Sequence, residues 1–218
     1  MFIINNGHAN NNVTSRHAFY FGADAIYSSI KFKNNYGNNM FSKDAKGVNV
    51  FIVAMFTNTI GMEIGYGIEQ KQKKSRIIYS PEYIAGWSIT NIWNNALLKS
   101  EIKQQYPYLG IVLNSKISDK CYASTLFGVS RYNIHAKYNM LEPRFLLGYT
   151  VTFSKTKIVP TARFSIAYKL ANNFAIRTFA TWKHTSKVTI KSNDVVDGNL
   201  IKLKDLYNAG IGISYDII

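Results

Sequence analysis

The chain has 218 residues with a formal net charge of +14, and its 15 tyrosines and 13 phenylalanines stand against 4 prolines and a single cysteine, Cys121. The length fits one large or two small domains, the lone cysteine excludes an internal disulfide, and the lack of any run of about 18 apolar residues excludes a transmembrane helix. The aromatic excess favours β structure, and the positive charge implies an anionic partner such as nucleic acid or acidic lipid headgroups.

Residues 1–15 are rich in asparagine and show no hydrophobic periodicity, so we predict a disordered lead-in before a single domain over residues 16–218. The same stretch lacks a basic region followed by an apolar one, which is the pattern of a secretory signal peptide. We therefore expect that a leader has been removed or is encoded upstream of Met1.

The first part of the domain alternates apolar and polar residues with a period of two, which is the mark of a strand. Strands are predicted over 19–28 and 48–56, separated by a polar loop, and a tight turn at 57–59 leads into the stretch IGMEIGYGIE at Ile60–Glu69. The polar face of that stretch holds only glycine and glutamate. A soluble strand would turn this face to water, whereas a membrane barrel would turn it into a narrow lumen.

The middle of the chain alternates long and short connections between strands. We predict a long segment over 70–105, in which the spacing of apolar residues predicts a short helix formed by Ile89, Ile92, Trp93, Ala96 and Leu97. A strand from Pro107 to Asn114, a short polar connection and a strand over 121–133 follow. A long loop is then predicted over 134–157, within which GYTVTF forms a hairpin above the main sheet.

The last part of the domain has the clearest alternation. Strands are predicted over 160–170 and 174–182, joined by the turn Ala171-Asn172-Asn173, and a basic polar loop leads to a closing strand over 207–217. The count is eight strands of roughly 9–13 residues, the length that a tilted strand needs to cross a bilayer. The sequence therefore predicts an all-β, eight-stranded antiparallel up-and-down transmembrane β-barrel, with short periplasmic turns and long extracellular loops.

Aromatic residues near the strand ends form two predicted girdles, as membrane barrels require at both interfaces. With the first strand running outward, the outer girdle is Tyr27, Trp182 and Tyr207, and the inner girdle is Phe19, Phe56, Tyr168, Phe174 and Tyr215.

Three blocks of the sequence resemble the outer membrane protein A (OmpA) barrel family. MEIGYG at 62–67 is similar to the family's third strand, FSIAYKLANNFAIRTFATW at 164–182 to its last strand–turn–strand, and DLYNAGIGISYDI at 205–217 to its closing strand. The phrases WKHTSK and KLKDLYNAGIGISY are similar to OmpA-like proteins of intracellular gammaproteobacteria. The resemblance covers residues 19–218 and implies a Gram-negative outer-membrane barrel that barrel-assembly machinery inserts, although Ile218 differs from the aromatic terminal residue that this machinery prefers.

The same resemblance implies a salt-bridge gate in the lumen. The family's lumen glutamate on the third strand matches Glu63, and its arginine on the seventh strand matches Arg177, but its acid on the sixth strand is Ala167 here. From the residues themselves, we expect Glu63 to pair with Arg177 or with Arg163.

Other charged residues are expected to contribute to the lumen. Lys169 makes the predicted lumen more basic, and Asp24 and Glu69 are candidates to join the pair. Two interpretations stay open: a gate to ion flow, or a plug that sets the barrel register, which we favour because a buried unpaired charge costs roughly 3–5 kcal/mol.

Basic residues in the connections are predicted to lie on the outer face. They are Lys71, Lys73, Lys74, Arg76, Lys183, Lys187, Lys191, Lys202 and Lys204. Either they bind lipopolysaccharide phosphates and host-surface polyanions, or they are solvated without a ligand. Nucleic acid is not an expected partner, because these residues do not share a strand face with aromatic residues.

The predicted function is structural or surface interaction, meaning adhesion or envelope integrity. The predicted location is the bacterial outer membrane, with its lipid and lipopolysaccharide as partners. Because an eight-stranded barrel is filled by its own side chains, we expect weak conductance at most. The alternatives are a soluble lipocalin-type barrel and a lipid A-modifying enzyme, the latter because His184-Thr185-Ser186 distantly resembles the His-x-Ser of lipid A deacylases. Lys187 replaces the next residue of that motif, so coincidence is favoured and no catalytic residue is predicted. No cofactor or metal is predicted, since the histidines show no ligand spacing.

Overall fold

The computed structural model describes residues 18–29, 32–34, 44–78, 96–142, 147–185, 189–190, 201–203 and 205–217. Within these ranges the regular structure is eleven strands: β1 (Ala18–Ser29), β2 (Phe32–Asn34), β3 (Asp44–Met55), β4 (Ile60–Ile78), β5 (Ala96–Lys116), β6 (Cys121–Glu142), β7 (Leu147–Lys169), β8 (Phe174–Lys183), β9 (Thr189–Ile190), β10 (Ile201–Leu203) and β11 (Leu206–Ile217). No helix among the described residues is long and apolar enough to cross a membrane.

Eight of these strands close into an antiparallel barrel, which confirms the predicted fold class. The strands follow one another around the barrel as β1, β3, β4, β5, β6, β7, β8 and β11, and β11 returns to pair with β1. The closing register places Phe19 opposite Ile217 and Tyr27 opposite Ala209. Because each strand pairs with the next barrel strand along the chain, the topology is up-and-down and leaves no open edge in this ring.

Three tight turns lie at one end of the barrel, which we call the turn end. They span 56–59, 117–120 and 170–173. Backbone hydrogen bonds of 2.9 Å close the first and the last, from the Phe56 nitrogen to the Ile60 oxygen and from the Leu170 nitrogen to the Phe174 oxygen. The opposite end, called the loop end, carries the connections after β1, β4, β6 and β8. Three of them are longer than the turns, as the sequence predicts, whereas the connection between β6 and β7 spans only 143–146.

Four consecutive strands, β4 to β7, form a tall wall. They contain 19, 21, 22 and 23 residues, whereas β1, β3, β8 and β11 contain 10 to 12. Pairing of β4 with β3 ends at Glu69, and pairing of β7 with β8 begins at Thr161. The four strands nevertheless continue to pair with each other beyond these points, up to the pairs Ile78–Ala96 and Glu142–Leu147.

The tall wall corrects two predictions. Residues 70–78 and 96–105 are strand rather than part of a long irregular segment, and Ala96 and Leu97 of the predicted helix begin β5. Ile89, Ile92 and Trp93 lie outside the described residues. Most of 134–157 is also strand, and GYTVTF is the start of β7 paired with β6 instead of a separate hairpin. The polar composition of these stretches was misinterpreted as loop, although a wall with water on its outer side has polar residues too.

A small three-stranded sheet, in the order β2-β10-β9, is formed by the connections on the shorter side of the barrel. Lys202 of β10 pairs with Lys33 of β2 and with Thr189 of β9. The connections after β1 and β8, both predicted as loops, therefore contain strand at these positions.

The two faces of the wall have opposite character. On every barrel strand an outward apolar side chain is between 47% and 59% exposed: Phe21, Ile52, Ile64, Ile111, Phe127, Phe164, Phe174 and Ile213. Inward positions of the same strands hold charged, polar, aromatic and glycine residues together with buried aliphatic ones such as Val53 and Leu126. In β4, Glu63 is 1% exposed while its outward neighbours Met62 and Ile64 are exposed. The period-two pattern therefore assigns the faces correctly.

Candidate functional site

Four charged side chains meet inside the barrel toward the turn end. Asp24 comes from β1, Glu63 from β4, Arg163 from β7 and Arg177 from β8, and each is at most 6% exposed. All four stand at inward positions of their strands, because burial alternates along each strand and they are the buried members. We call this group the lower charge layer.

The lower charge layer contains two acids and two bases in contact. Arg177 donates to both oxygens of Asp24, from Nε to Oδ1 over 2.8 Å and from Nη2 to Oδ2 over 2.6 Å. Arg163 forms an ion pair with Glu63 through Nη2 and Oε2. The Nη1 of Arg177 also lies 3.9 Å from Oε2 of Glu63. Of the two partners expected for Glu63, Arg163 is thus the direct one, and Arg177 links the two pairs.

A tyrosine and an asparagine join the two ion pairs into one network. The Tyr108 hydroxyl donates to Oε1 of Glu63 over 2.6 Å, and it accepts from Nη1 of Arg163 over 3.2 Å. The Asn49 amide donates to Oδ2 of Asp24 over 2.8 Å and to the Tyr108 hydroxyl over 3.0 Å. Sequence reasoning missed both residues. Tyr108 could have been predicted, because it precedes Leu109, which points outward, and must therefore point inward.

Aromatic rings fill the space around the lower charge layer. The Arg177 guanidinium carbon lies 3.5 Å from the centroid of the Phe51 ring and 5.6 Å from that of Phe179. Such stacking suits the weakly hydrated, planar guanidinium. A Cβ built on Gly65 would lie 2.4 Å from the Tyr108 hydroxyl oxygen, so only glycine leaves room for this ring. Aromatic packing therefore surrounds the charges of this layer.

A second pair of charges lies toward the loop end. Glu69 of β4 and Lys183 of β8 are both buried, and Oε1 of Glu69 accepts from Ser28 over 2.8 Å. The Lys183 nitrogen lies 2.8 Å from the Tyr106 ring centroid, and the Tyr106 ring stacks on that of Tyr132 with 6.2 Å between centroids. We call Glu69, Lys183, Tyr106 and Tyr132 the upper charge layer.

The upper charge layer corrects the prediction for Lys183. This residue was placed on the outer face with the loop lysines, but it is 2% exposed and lies in the lumen. The reason is parity, because Trp182 points outward and the next residue of the strand must point inward. Lys183 and Glu69 are not bonded to each other as the charges of the lower layer are. Neither the Lys183 nitrogen nor Oε2 of Glu69 has a hydrogen-bond partner within the described ranges.

Lys169 does not belong to either layer. It lies at the mouth of the turn end, partly exposed, with its nitrogen 3.4 Å from Oδ2 of Asp216. The expectation that it makes the interior more basic is therefore wrong, because β7 ends there and the side chain reaches an acid of β11, one strand beyond the neighbouring β8.

The basic residues predicted for the outer face lie in several settings. Lys71 and Lys73 are exposed on the tall wall, and Lys71 forms an ion pair with Glu101 of β5. Lys74 is half-buried on the same strand, and Arg76 belongs to β4 as well. Lys202 lies in β10, whereas Lys187, Lys191 and Lys204 lie outside the described residues.

The aromatic residues predicted for girdles lie near the two ends of the strands. At the turn end, the Tyr215 ring contacts Phe174 and Phe21, with centroids 4.9 Å and 5.7 Å apart. At the loop end, Tyr207 pairs with Trp182 across β11 and β8, and the Trp182 indole donates to Asp205 over 3.1 Å. The other positions, all exposed, are Phe19, Tyr27, Phe56 and Tyr168.

An acidic residue that the sequence did not indicate lies next to His184 of the His-x-Ser motif. Nδ1 of His184 lies 3.1 Å from Oδ1 of Asp205, so an acid stands beside this histidine. Ser186, the other member of the motif, lies outside the described residues. Across the described part of the chain, no cluster of histidine, cysteine and acidic side chains is arranged to hold a metal ion.

Comparison with known proteins places the fold among outer membrane barrels. No protein-family model matches the sequence, and no curated protein matches it. Among solved structures, Ail of Yersinia pestis is 13% identical with a TM-score of 0.51, covering 92% of this chain and 99% of its own. OprG of Pseudomonas aeruginosa is 11% identical with a TM-score of 0.54, covering 93% and 97%. The outer membrane protease OmpT of Escherichia coli is 8% identical with a TM-score of 0.52, covering 94% and 98%.

At these identities the similarity shows the fold alone. One of the three structures is named as a protease and one as an attachment invasion protein, so the shared barrel does not fix an activity. The function has to be argued from the surfaces and the lumen.

Proposed function

We propose that this chain is an outer-membrane β-barrel with a structural and surface-interaction role, whose lumen is closed by the lower charge layer. The observation that carries the proposal is the apolar outer surface, which includes large exposed hydrophobic side chains on all eight barrel strands. Soluble monomers rarely expose a continuous apolar surface of this extent. A lipid bilayer is the solvent in which such a surface is stable.

The height of this surface fits a bilayer. The outward apolar residues of β3 and of the first turn position after it run from Val48 to Phe56, eight residue steps that span about 27 Å. A tilt of about 40° leaves a height of about 21 Å, close to the apolar band of membrane barrels. In that frame the turn end faces the periplasm, and the tall wall rises outside the cell. Barrel-assembly machinery would insert the chain.

The lumen argues against a lipocalin-type ligand barrel. A soluble ligand-binding barrel has a polar outside and an apolar cavity, but here the inward face carries Asp24, Glu63, Arg163 and Arg177. Charged groups occupy the part of the interior where a ligand would bind in a lipocalin. An apolar outer surface with ion pairs inside is the pattern of a membrane barrel.

The tall wall supports a role at the cell surface. Its strands continue past the last pairing of β4 with β3 at Glu69, and Lys71 and Lys73 are exposed on this extension. Ammonium groups at this height can bind lipopolysaccharide phosphates or polyanions of a host surface. Adhesion or maintenance of the envelope is the activity that these surfaces support.

Membrane folding is tested by heat-modifiable migration on SDS gels after refolding into detergent or lipid vesicles. We expect the unheated, folded chain to migrate differently from the boiled chain, because detergent does not unfold a closed membrane barrel. A monomer that folds in water without detergent would contradict the proposal.

The gate is tested by conductance in planar bilayers. Glu63→Ala removes the carboxylate that holds Arg163 and Tyr108, so we expect more frequent or larger openings than in the wild type. Glu101→Ala, which changes an acid on the tall wall, serves as the matched control and should leave the conductance unchanged. If Glu63→Ala also leaves it unchanged, the layer is a structural plug and the gating role is wrong.

A further inference from the structure

A small cavity lies between the two charge layers. Its volume is about 20 Å³, which is enough for one species of the size of a water molecule. The side chains of its wall that carry the argument are Arg163, Lys183, Asn49, Asn208, Tyr106 and Thr181.

The charges in the cavity wall are both positive. Arg163 and Lys183 line the cavity, and none of the aspartates and glutamates that the structure describes does. The two carboxylates of the lower charge layer are not in this lining, and each is already paired, Glu63 with Nη2 of Arg163 and Asp24 with Arg177. The lining therefore favours a negatively charged occupant.

Each of the two cations also has a donor without a hydrogen-bond partner. Nη1 and Nη2 of Arg163 bond to Tyr108 and Glu63, but its Nε bonds to nothing in the described part of the chain. The Lys183 nitrogen contacts the Tyr106 ring but likewise has no hydrogen-bond acceptor there. A buried charged donor without an acceptor is costly, so an acceptor between these nitrogens would stabilise the barrel.

Glu69 does not supply this acceptor. One of its oxygens accepts from Ser28, and the structure shows no ion pair between Glu69 and Lys183. Two amide oxygens of the wall, on Asn49 and Asn208, also lack a donor. Water could serve those oxygens, whereas an anion could not, so water is the competing occupant that an experiment must separate.

We propose that the cavity binds a single monatomic anion, chloride under ordinary conditions, between Nε of Arg163 and Nζ of Lys183. The anion accepts from both unpartnered donors and connects the lower charge layer to the upper one. The site depends only on the interior of the barrel, so it holds whether the lower layer acts as a gate or as a plug.

The direct test is anomalous diffraction from crystals of the full chain grown in sodium bromide. We expect a bromide peak in the cavity of the wild type, in contact with both nitrogens, and no such peak in Lys183→Met. Lys169→Met removes a cation at the turn-end mouth and should keep the peak. A cavity peak without anomalous signal in the wild type would identify water and overturn the proposal, as would a bromide peak that persists in Lys183→Met.

A solution measurement covers the case in which Lys183→Met does not crystallise. The thermal unfolding midpoint of the refolded wild type is compared in chloride and in gluconate at equal ionic strength, because gluconate is too large for the cavity. Ligand binding to the folded state raises the midpoint, so we expect a higher, saturable value in chloride. Equal midpoints in the two salts would contradict an anion site. A chloride effect that Lys183→Met retains in full would place the anion elsewhere.

Discussion

The two charge layers of the lumen stabilise buried charges in different ways. The lower layer holds two acids and two bases, all in direct contact and joined by Tyr108 and Asn49. The upper layer holds one acid and one base that do not form an ion pair, and both retain atoms without a hydrogen-bond partner in the described structure. Nε of Arg163 in the lower layer also has no partner there, so the layers differ in the presence or absence of ion pairs. A narrow barrel can thus bury charges as a neutral network of linked ion pairs or as separate groups beside aromatic rings.

The difference predicts where the stability lies. In a connected network, the loss of one member leaves another charge buried and unpaired, which is strongly unfavourable. In the upper layer Glu69 and Lys183 form no ion pair and attract each other only at longer range, so we expect the loss of one to change the stability less. The predictions below test this contrast, starting with the largest expected effect.

The largest loss is expected for Arg177→Met. The substitution leaves Asp24 with Asn49 as its remaining partner and removes the stack on Phe51. Breaking a buried pair in this way costs about 3–5 kcal/mol, less where lumen water screens the charge. Urea unfolding of the barrel in lipid vesicles measures it. The double variant Arg177→Met with Asp24→Leu is the control, and it should lose less than the single variant. If the double variant loses as much or more, packing rather than the unpaired carboxylate determines the effect.

A glycine packs against a tyrosine in each layer, so a substitution at that glycine displaces the tyrosine ring. A Cβ on Gly65 would lie 2.4 Å from the Tyr108 ring, and one on Gly67 would lie 2.0 Å from the Tyr106 ring. Overpacking of this kind costs about 1–3 kcal/mol, so Gly65→Ala and Gly67→Ala should destabilise the barrel to a similar degree. Their conductance should differ, because only Gly65→Ala displaces a ring that bonds to Glu63. Equal conductance in the two variants would show that the lower layer does not close the lumen by itself.

Much of the lower layer was predictable from the sequence, because the period of two fixes which residues point inward. Parity placed Glu63, Arg163 and Arg177 in the lumen, and Asp24 was a candidate to join them. The choice of partner was not predictable. Glu63 and Arg163 are 100 residues apart, and the height at which β4 and β7 face each other across the barrel depends on the register of all the strand pairs between them.

The upper layer and the tall wall were harder to predict for a physical reason. Polar residues occupy both faces of β4 in 70–75, so the alternation fades there and residues 70–78 were assigned to a loop. Lys183 was assigned to the surface because polar residues follow it, although Trp182 had already set its direction. The contact between Lys183 and the Tyr106 ring joins residues far apart in the sequence, so the local sequence pattern does not predict that Lys183 is buried.

A smaller loss is expected for Lys183→Met, the same kind of substitution as Arg177→Met but in the upper layer. Lys183 has no ion pair in the structure, so the change removes its contact with the Tyr106 ring, worth about 1–2 kcal/mol for a desolvated cation, and its longer-range attraction to the Glu69 carboxylate. The measurement is urea unfolding in gluconate, where no small anion contributes. A loss as large as that of Arg177→Met would contradict the distinction between the two layers.

The smallest effect is expected outside the lumen, on the tall wall. The hydrogen bond from the Lys71 ammonium lowers the pKa of the Glu101 carboxyl, and the two side chains remain 52% and 29% exposed. An ion pair with this exposure is worth about 0.2–1 kcal/mol. Lys71→Ala should therefore lower the free energy of unfolding by no more than this at pH 7, and Lys103→Ala, an exposed lysine of the same wall, should not lower it.

The pH dependence of this pair follows from the direction of the shift. Because the carboxyl pKa is lower in the folded state, the stabilisation is complete above the unfolded-state pKa of about 4.3 and is lost as the pH falls through the folded-state pKa. The difference in unfolding free energy between the wild type and Lys71→Ala should thus disappear in acid, and about 1 M salt should reduce it at pH 7. A difference that persists below both pKa values cannot come from the carboxylate. It would have to come from packing of the Lys71 side chain against the wall.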